Sequence, residues 1–178
     1  MIADHILVLG GARSGKTAFA ERLAVRFGTR PIYLATAQAL DDEMRERVAA
    51  HRGARQNRFD TLEEPLDLSR ALLDACRSHD VVLIDCLTLW ITNLLLSGRD
   101  VAAAVEDLAG TLVEMTDARV ILVSNEVGLG IVPENALARS FRDLAGSAHQ
   151  RMAEICAHVY FVIAGLPMTL KGSSPDGN

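Results

Sequence analysis

The chain has 178 residues, enough for one domain with a sizeable core, and its 49% hydrophobic and 23% charged residues are typical of globular proteins. Its 23 acidic residues outnumber its 18 lysines and arginines, giving a net charge of −5, and only 4% of residues are aromatic, which argues against nucleic-acid binding. No apolar run approaches the roughly 20 residues of a membrane span, and MIADHILVLGG lacks a signal peptide's basic region, so we expect a cytoplasmic protein.

Five short apolar runs predict buried parallel strands, because they are continuous rather than alternating in polarity. They are HILVLG, PIYLAT, VVLIDC, VILVSN and VYFVIAG. Helical patterns separate them, at 16–27, 41–52, 65–77, 101–115 and 134–158. Strands that alternate with helices predict an α/β sheet with right-handed crossovers. We expect one domain over 1–171 and a disordered tail over 172–178, GSSPDGN.

The segment GGARSGKT matches the phosphate-binding pattern G-x-x-x-x-G-K-[ST], between a predicted strand and a predicted helix. We expect Gly10, Gly11 and Gly15 to take positive φ and let the backbone approach phosphate oxygens. Backbone N–H groups would bind the anion, Lys16 would act on the terminal phosphates, and Thr17 would ligate Mg²⁺. The loop predicts a P-loop NTPase-like (RecA-like) fold, with a mostly parallel sheet flanked by helices. Its predicted nucleotide contacts are Gly10, Gly11, Ala12, Arg13, Ser14, Gly15, Lys16 and Thr17.

Polar side chains follow two later strands. Asp85 ends VVLID, where a carboxylate would hold Mg²⁺ directly or through water; it could instead cap the next helix. Asn125 and Glu126 follow the next strand at the same sheet edge, where ligands of open α/β sheets bind. Glu126 could orient a nucleophile or contact a substrate, or it could be a solvated loop residue.

Three cysteines, Cys76, Cys86 and Cys156, are far apart and lie in apolar surroundings. This arrangement predicts buried thiols in a reducing compartment, rather than a disulfide framework or a metal site.

The stretch RERVAAHRGAR places His51 among four arginines. On a helix, the spacing puts His51 and Arg55 on the apolar stripe formed by Met44 and Val48. Arginines bind phosphates, and a neutral imidazole among them is a candidate nucleophile toward phosphorus. The alternative is a histidine that the dipole stabilises at a helix C-terminus, with solvated arginines around it.

Together these motifs resemble the bifunctional adenosylcobinamide kinase/adenosylcobinamide-phosphate guanylyltransferase family of cobalamin biosynthesis. The matching pieces run almost from end to end: GGARSGKT, YLATAQALDDEM, RVAAHRGAR, TLEEP, LIDCLTLWITNLL and SNEVGLGIVPENALARSFRDLAGSAHQRMAE. The last piece is the most specific, because no generic phosphate-loop protein needs NEVGxGIVPEN. Two departures are visible: Gln56 stands where the family often has proline, and Asp85 stands where some members carry glutamate.

The resemblance implies phosphorylation of adenosylcobinamide with ATP or GTP, followed by transfer of GMP from GTP to adenosylcobinamide phosphate. His51 would attack the α-phosphate of GTP and carry GMP as a phosphoramidate, and the product would be adenosylcobinamide-GDP. Thr17 and Asp85 would hold Mg²⁺. The further nucleotide contacts that the resemblance implies are Thr36, Ala37, Gln38, Arg52, Gly53, Ala54, Arg55, Glu63 and Asp85.

The same resemblance implies a homotrimer, with the corrinoid bound near subunit boundaries. A substrate of that size needs a broad apolar surface. The segment LTLWITNLLL could supply part of it, or could be an ordinary buried helix.

Two other functions remain open at this point. A plain small-molecule kinase, in which His51 is structural, predicts turnover with ATP and no covalent enzyme–nucleotide species. A nucleotide-binding switch or assembly protein predicts binding without transfer to any small molecule. The sequence has no N-K-x-D motif, and Asp85 is followed by Cys, Leu and Thr rather than by a D-x-x-G switch, which counts against a regulatory GTPase.

Overall fold

Residues 4–37 and 58–175 are described by the computed structural model. Its seven strands are β1 (Ile6–Gly10), β2 (Pro31–Ala35), β3 (Asp60–Glu63), β4 (Val81–Asp85), β5 (Arg119–Asn125), β6 (His158–Ile163) and β7 (Leu166–Lys171). The helices of the described part are α1 (Lys16–Phe27), α2 (Leu68–Ala75), α3 (Leu87–Leu96), α4 (Val101–Glu114) and α5 (Ala136–Ile155).

All seven strands form one sheet in the order β3-β2-β4-β5-β1-β6-β7. The first six are parallel to one another, and β7 pairs antiparallel with β6. The prediction of a mostly parallel sheet flanked by helices is confirmed. Strand β5 lies between β1 and β4, which brings the carboxyl ends of these three strands together at one edge.

The core lies on both faces of this sheet, as the continuous apolar strands predicted. On one face, Ile6 and Val8 belong to a cluster that α1 completes with Phe19 and Leu23. On the other face, the intervening Leu7 packs in a larger cluster with α2, α3, α4 and α5. Alternate residues of each strand therefore face opposite layers.

Four of the five predicted helices fall within the described residues: α1 has the predicted bounds, α4 ends one residue earlier than predicted, and the other two are shorter than predicted. The helix predicted at 65–77 spans Leu68–Ala75, and the one at 134–158 spans Ala136–Ile155. The second begins after Asn135, whose side-chain oxygen accepts the N–H of Ala138 at 3.1 Å, a helix N-cap. The helix predicted at 41–52 lies outside the described residues.

Strands β3 and β7 were not predicted from the sequence. Strand β3, DTLE, is short, polar and partly exposed at one edge of the sheet, so it lacks an apolar run. Strand β7 follows a two-residue turn at Ala164 and Gly165, whose φ values are 51° and 81°. Two left-handed residues are what a tight hairpin turn requires. Because alanine replaces the usual asparagine at the first position, the turn signal is weak.

The predicted tail begins at Gly172, yet its first residues are held against β6. The backbone N–H of Ser173 donates to His158 Nδ1 at 3.2 Å, and the Tyr160 hydroxyl donates to the carbonyl of Ser173 at 2.9 Å. Arg26 of α1 donates to the carbonyl of Pro175. Composition alone could not anticipate these partners, which come from two distant elements.

None of the helices in the described part of the chain is both long and apolar enough to cross a membrane.

His5 ties β1 to its neighbours through both ring nitrogens. It is fully buried, its Nδ1 accepts the N–H of Val120 at 3.1 Å, and its Nε2 donates to the carbonyl of Leu112 at 2.9 Å. A backbone N–H can donate only to an unprotonated nitrogen, so these contacts require the neutral imidazole. Burial lowers the pKa of His5 below 6.5, an effect that Arg119 reinforces and that the Leu112 bond and Asp4 oppose.

We predict that this histidine makes the stability of the fold sensitive to mild acid. Because its pKa is depressed in the folded state, its contribution is complete above pH 6.5 and is lost as the pH falls through the folded pKa. Urea unfolding of the wild type should show a falling free energy of unfolding between about pH 8 and about pH 5.5. The His5→Gln variant should be less stable at the higher pH, by about 1–3 kcal/mol, and should lose less on acidification. Parallel pH profiles for the two proteins would contradict this role.

Candidate nucleotide-binding site

The phosphate loop requires glycine at positions 10 and 15 for two different reasons. A Cβ on Gly10 would lie 2.5 Å from Ser14 Oγ and 2.6 Å from the carbonyl of Val162, so the obstacle there is space. Gly15 has φ +92° and immediately precedes α1. Positive φ was also expected at Gly10 and Gly11, and that expectation is wrong: within the loop it occurs at Gly15 and at Arg13, with φ 56°.

The turn between β6 and β7 packs against the backbone of this loop. The N–H of Gly165 donates to the carbonyl of Ser14 at 2.7 Å. A Cβ on Gly15 would come within 3.1 Å of Gly165 Cα, so the two backbones are in close contact. The hairpin therefore fixes the middle of the phosphate loop, a role that sequence reasoning missed along with strand β7.

Lys16 and Thr17 begin α1 at the carboxyl edge of the sheet. Lys16 is only 8% exposed. Its side chain lies over the loop, because its ammonium group donates to the carbonyl of Gly11 at 3.1 Å. The Thr17 hydroxyl donates to Asp85 Oδ2 at 2.8 Å. The two residues predicted to hold Mg²⁺ are therefore in contact, and their metal-binding role stays a prediction.

Tyr33 also contacts Asp85 and was not identified from the sequence. Its hydroxyl donates to Asp85 Oδ2 at 2.8 Å, the same oxygen that accepts from Thr17. Tyr33 lies on β2 next to β4 and is buried in the α1 face of the core. It had no sequence signal, because an aromatic residue in an apolar strand is ordinarily core.

The oxygen atoms of Thr17 and Asp85 are suitable ligands for a magnesium ion. A hydroxyl and a carboxylate are hard oxygen ligands, and Mg²⁺ typically takes only one or two protein ligands beside phosphates and water. Within residues 4–37 and 58–175, no cluster of three or more histidine, cysteine or acidic side chains could hold a metal by itself. A site of this kind would thus depend on the nucleotide for its remaining ligands.

Thr36 holds the end of β2 to the residue that follows β4. It is fully buried; its hydroxyl donates to the carbonyl of Cys86 and accepts the N–H of Cys86, both at 2.8 Å. The Asn93 amide of α3 donates to the carbonyl of Thr36 at 2.8 Å. These bonds give Thr36 a structural role, and its contact with a nucleotide stays a prediction, as does that of the partly exposed Ala37.

Asn125 and Glu126 lie beside the phosphate loop, as their place after β5 predicted. The N–H of Glu126 donates to the carbonyl of Gly10 at 3.0 Å. The Glu126 carboxylate accepts the backbone N–H groups of Gly128 at 2.6 Å and Leu129 at 3.1 Å. In this structure Glu126 therefore shapes its own loop, which distinguishes it from a freely solvated residue.

A buried histidine contacts the carboxyl end of β5. His149 of α5 shares a 2.7 Å hydrogen bond with the hydroxyl of Ser124, the residue before Asn125. Burial lowers the pKa of His149, and the charge of Glu126 opposes that shift. The bond links α5 to the end of β5 and was not anticipated from the helical stripe of the sequence.

A cleft of about 820 Å³ opens over the phosphate loop. Its polar side is the loop itself together with Asn125 and Glu126, and its other side includes Leu89, Val127 and Phe141. A second, smaller groove of about 280 Å³ adjoins it and shares Thr92 and Phe141 with it.

The predicted site residues thus divide into groups. The loop, Asp85, Asn125 and Glu126 meet at the ends of β1, β4 and β5. Glu63 is exposed at the end of β3, four strands from β1, a distance of roughly 19 Å at the usual strand spacing of about 4.8 Å. Its neighbour Glu64 is structural, since its carboxylate accepts the N–H groups of Leu66 and Asp67 at 2.8 and 2.9 Å. The remaining candidates lie outside the described residues: Gln38, His51, Arg52, Gly53, Ala54 and Arg55.

The three cysteines are free thiols; Cys86 and Cys156 are buried as predicted, whereas Cys76 is partly exposed. Burial raises the pKa of Cys76 and of Cys86 to about 11, and that of Cys156 to about 12. Cys86 follows Asp85, whose charge raises its pKa further. A thiol held protonated in this way is a poor nucleophile.

Comparison with known sequences assigns the chain to a family. The sequence model described as cobinamide kinase / cobinamide phosphate guanyltransferase matches residues 6–170. The bifunctional adenosylcobalamin biosynthesis protein CobP of Pseudomonas aeruginosa is 51% identical over 168 residues, covering 93% of this chain and 96% of the relative. The bifunctional adenosylcobalamin biosynthesis protein CobU of Salmonella typhimurium is 41% identical, covering 93% of this chain and 99% of the relative.

Solved structures share the fold at low sequence identity. A KaiC-like protein of Pyrococcus horikoshii has a TM-score of 0.50 at 16% identity, covering 89% of this chain and 70% of its own. A DnaB-like replicative helicase has a TM-score of 0.52 at 14% identity, covering 89% of this chain and 46% of its own. These similarities confirm the P-loop NTPase-like fold and carry nothing further.

We predict that the hydroxyl of Thr36, rather than its bulk, stabilises this sheet edge. Thr36→Val keeps the volume but leaves the buried N–H of Cys86 without its acceptor, at a cost of about 1–3 kcal/mol in the free energy of unfolding. Thr36→Ser keeps the hydroxyl and removes one methyl group, at about 0.8 kcal/mol. Denaturant unfolding of both variants should place valine below serine in stability, and the reverse order would refute the assignment.

Proposed function

The chain belongs to the cobinamide kinase / cobinamide phosphate guanyltransferase family, and we propose that it phosphorylates adenosylcobinamide with ATP or GTP and then transfers GMP from GTP to that phosphate. The product is adenosylcobinamide-GDP, in assembly of the cobalamin nucleotide loop. The observation that carries this proposal is the match over nearly the whole chain to bifunctional relatives.

The kinase half is supported by the geometry at the phosphate loop. Lys16 and the backbone of the loop bind the transferred phosphate, and Thr17 with Asp85 holds the magnesium ion that neutralises its charge. The hydroxyl of the aminopropanol arm enters from the cleft over the loop. Positioning and electrostatics supply most of the rate in such transfers.

The guanylyltransferase half uses His51 as the nucleophile. A P–N bond forms between the imidazole and the α-phosphate of GTP as pyrophosphate leaves. The phosphate of the acceptor then attacks the same phosphorus, and the imidazole is released. The phosphoramidate divides one difficult transfer into two easier ones, and Arg52 and Arg55 stabilise the charge on the phosphates. Gln38, Gly53, Ala54 and Glu63 complete the nucleotide contacts.

We further propose a homotrimer that acts in the cytoplasm, with the corrinoid near the subunit boundaries. The free cysteines fit a reducing compartment, and the trimer rests on the family resemblance alone.

A covalent labelling experiment tests the transferase. The protein is incubated with Mg²⁺ and GTP labelled at the α-phosphate and is then denatured. We expect label on the chain that is labile to acid and stable to base, as a phosphoramidate should be, and absent from His51→Ala. The matched control His79→Ala removes a histidine that bonds to Asp60 beside β3, and it should keep the label. Nucleotide binding without any label would instead favour the plain kinase.

A second prediction concerns the support that Tyr33 gives to Asp85. Tyr33→Phe keeps the ring in the core and removes the hydroxyl that donates to Asp85 Oδ2. Partners that orient a metal-binding carboxylate typically change metal affinity by about 10–100-fold. The Mg²⁺ concentration for half-maximal transfer of labelled γ-phosphate to cobinamide should rise by about tenfold or more. An unchanged Mg²⁺ dependence would show that Asp85 does not need this hydrogen bond.

A further inference from the structure

An apolar groove adjoins the cleft over the phosphate loop, between α3 and the start of α5. Its lining residues are Thr92, Leu95, Leu96, Asn135, Leu137, Ala138 and Phe141. Two of these, Thr92 and Phe141, also line the cleft, so the two depressions form one continuous surface. Lys16 and Thr17 lie at one end of this surface, and Leu137 lies at the other.

The groove offers apolar surface rather than hydrogen-bonding groups. The Thr92 hydroxyl donates to the carbonyl of Thr88 at 2.9 Å, and the Asn135 side chain accepts the N–H of Ala138. Leucine side chains stand open to solvent around these residues: Leu96 is 69% exposed and Leu137 is 56% exposed. A nucleotide base, which is recognised through polar edges, has little to bind there.

The loop that joins the cleft to the groove is itself apolar and exposed. It leaves β5 at Glu126 and reaches α5 at Asn135. Between them Leu129 is 82% exposed, Ile131 is 97% exposed and Val132 is 60% exposed. Exposed apolar groups clustered at the rim of a polar site mark a surface that another molecule covers.

Helix α3 divides its side chains between the core and this surface. Leu87, Trp90, Ile91 and Leu94 are buried in the core cluster behind the sheet. Leu95 and Leu96 lie on the groove side. The segment LTLWITNLLL is therefore a core helix along one side and presents apolar side chains to the groove at its end.

We propose that this groove binds the corrin ring of the acceptor. This inference rests on the proposed cobinamide kinase activity. Cobinamide is a broad ring with methyl groups on its faces and a short arm that ends in the reacting hydroxyl. When that hydroxyl is at the phosphate loop, the ring must lie beside the loop. The groove is apolar, continuous with the cleft and close enough to receive it.

The test compares two groove variants with two matched surface variants. Leu96→Gln and Leu137→Gln keep side-chain size and remove apolar character from the groove. Leu73→Gln on α2 and Leu170→Gln on β7 change leucines of similar exposure, 53% and 57%, that do not line the groove. Equilibrium dialysis with cobinamide in the absence of nucleotide measures binding, and a kinase assay gives KM and kcat. Thermal unfolding and sedimentation check that each variant is folded and has the wild-type size.

The groove variants should raise the Kd and the KM for cobinamide by about tenfold each, because each loses an apolar contact with the ring. Their kcat and their affinity for Mg–GTP should match the wild type, since no contact with nucleotide is removed. The Leu73 and Leu170 variants should match the wild type in all of these measurements.

Three other outcomes overturn the inference and separate it from the proposed function. Active groove variants that bind cobinamide as tightly as the wild type would remove the corrin site and leave the kinase standing. Unchanged cobinamide binding with altered sedimentation would make the groove an interface between copies of the chain. A wild-type protein that neither binds nor phosphorylates cobinamide would end both proposals.

Discussion

The hydrogen bond between Thr17 and Asp85 depends on the whole arrangement of the sheet. Thr17 follows β1 and Asp85 ends β4, and these two strands are not neighbours, because β5 lies between them. Helix α1 crosses this gap on one face and carries Thr17 to the end of β4. A parallel sheet with all carboxyl ends at one edge is what allows three separate chain segments to form a single phosphate site.

Much of the polar chemistry at this edge holds the backbone in place rather than facing a ligand. Thr36 hydrogen-bonds the backbone of Cys86, and Gly165 donates to the carbonyl of Ser14. The carboxylates of Glu126 and Glu64 accept backbone N–H groups of the residues that follow them. Such bonds satisfy backbone groups that loops between buried elements would otherwise leave without partners. They make the site rigid, and rigid placement is what phosphoryl transfer needs.

The bifunctional chemistry that we propose divides along the same edge. The kinase groups gather at β1, β4 and β5, whereas Glu63 ends β3 on the far side of β2. In the sequence, His51 lies between β2 and β3. The apolar groove adjoins the cleft over the phosphate loop, between α3 and α5. An acceptor seated there would present its arm to the loop first, in keeping with phosphorylation before guanylylation.

The sequence by itself determined the phosphate loop, five strands of the sheet and the family, because each depends on local patterns: a fixed glycine and lysine spacing, apolar runs, and extended motifs. It did not reveal β7, Tyr33, His5 or the Ser124–His149 bond. A hairpin turn with alanine in place of asparagine carries a weak signal, and a tyrosine or histidine in an apolar strand looks like core. The roles of Thr36, Glu64 and Glu126 and the two sides of α3 were likewise decided by the tertiary structure, because partners far apart in the chain set what each polar or apolar side chain contacts.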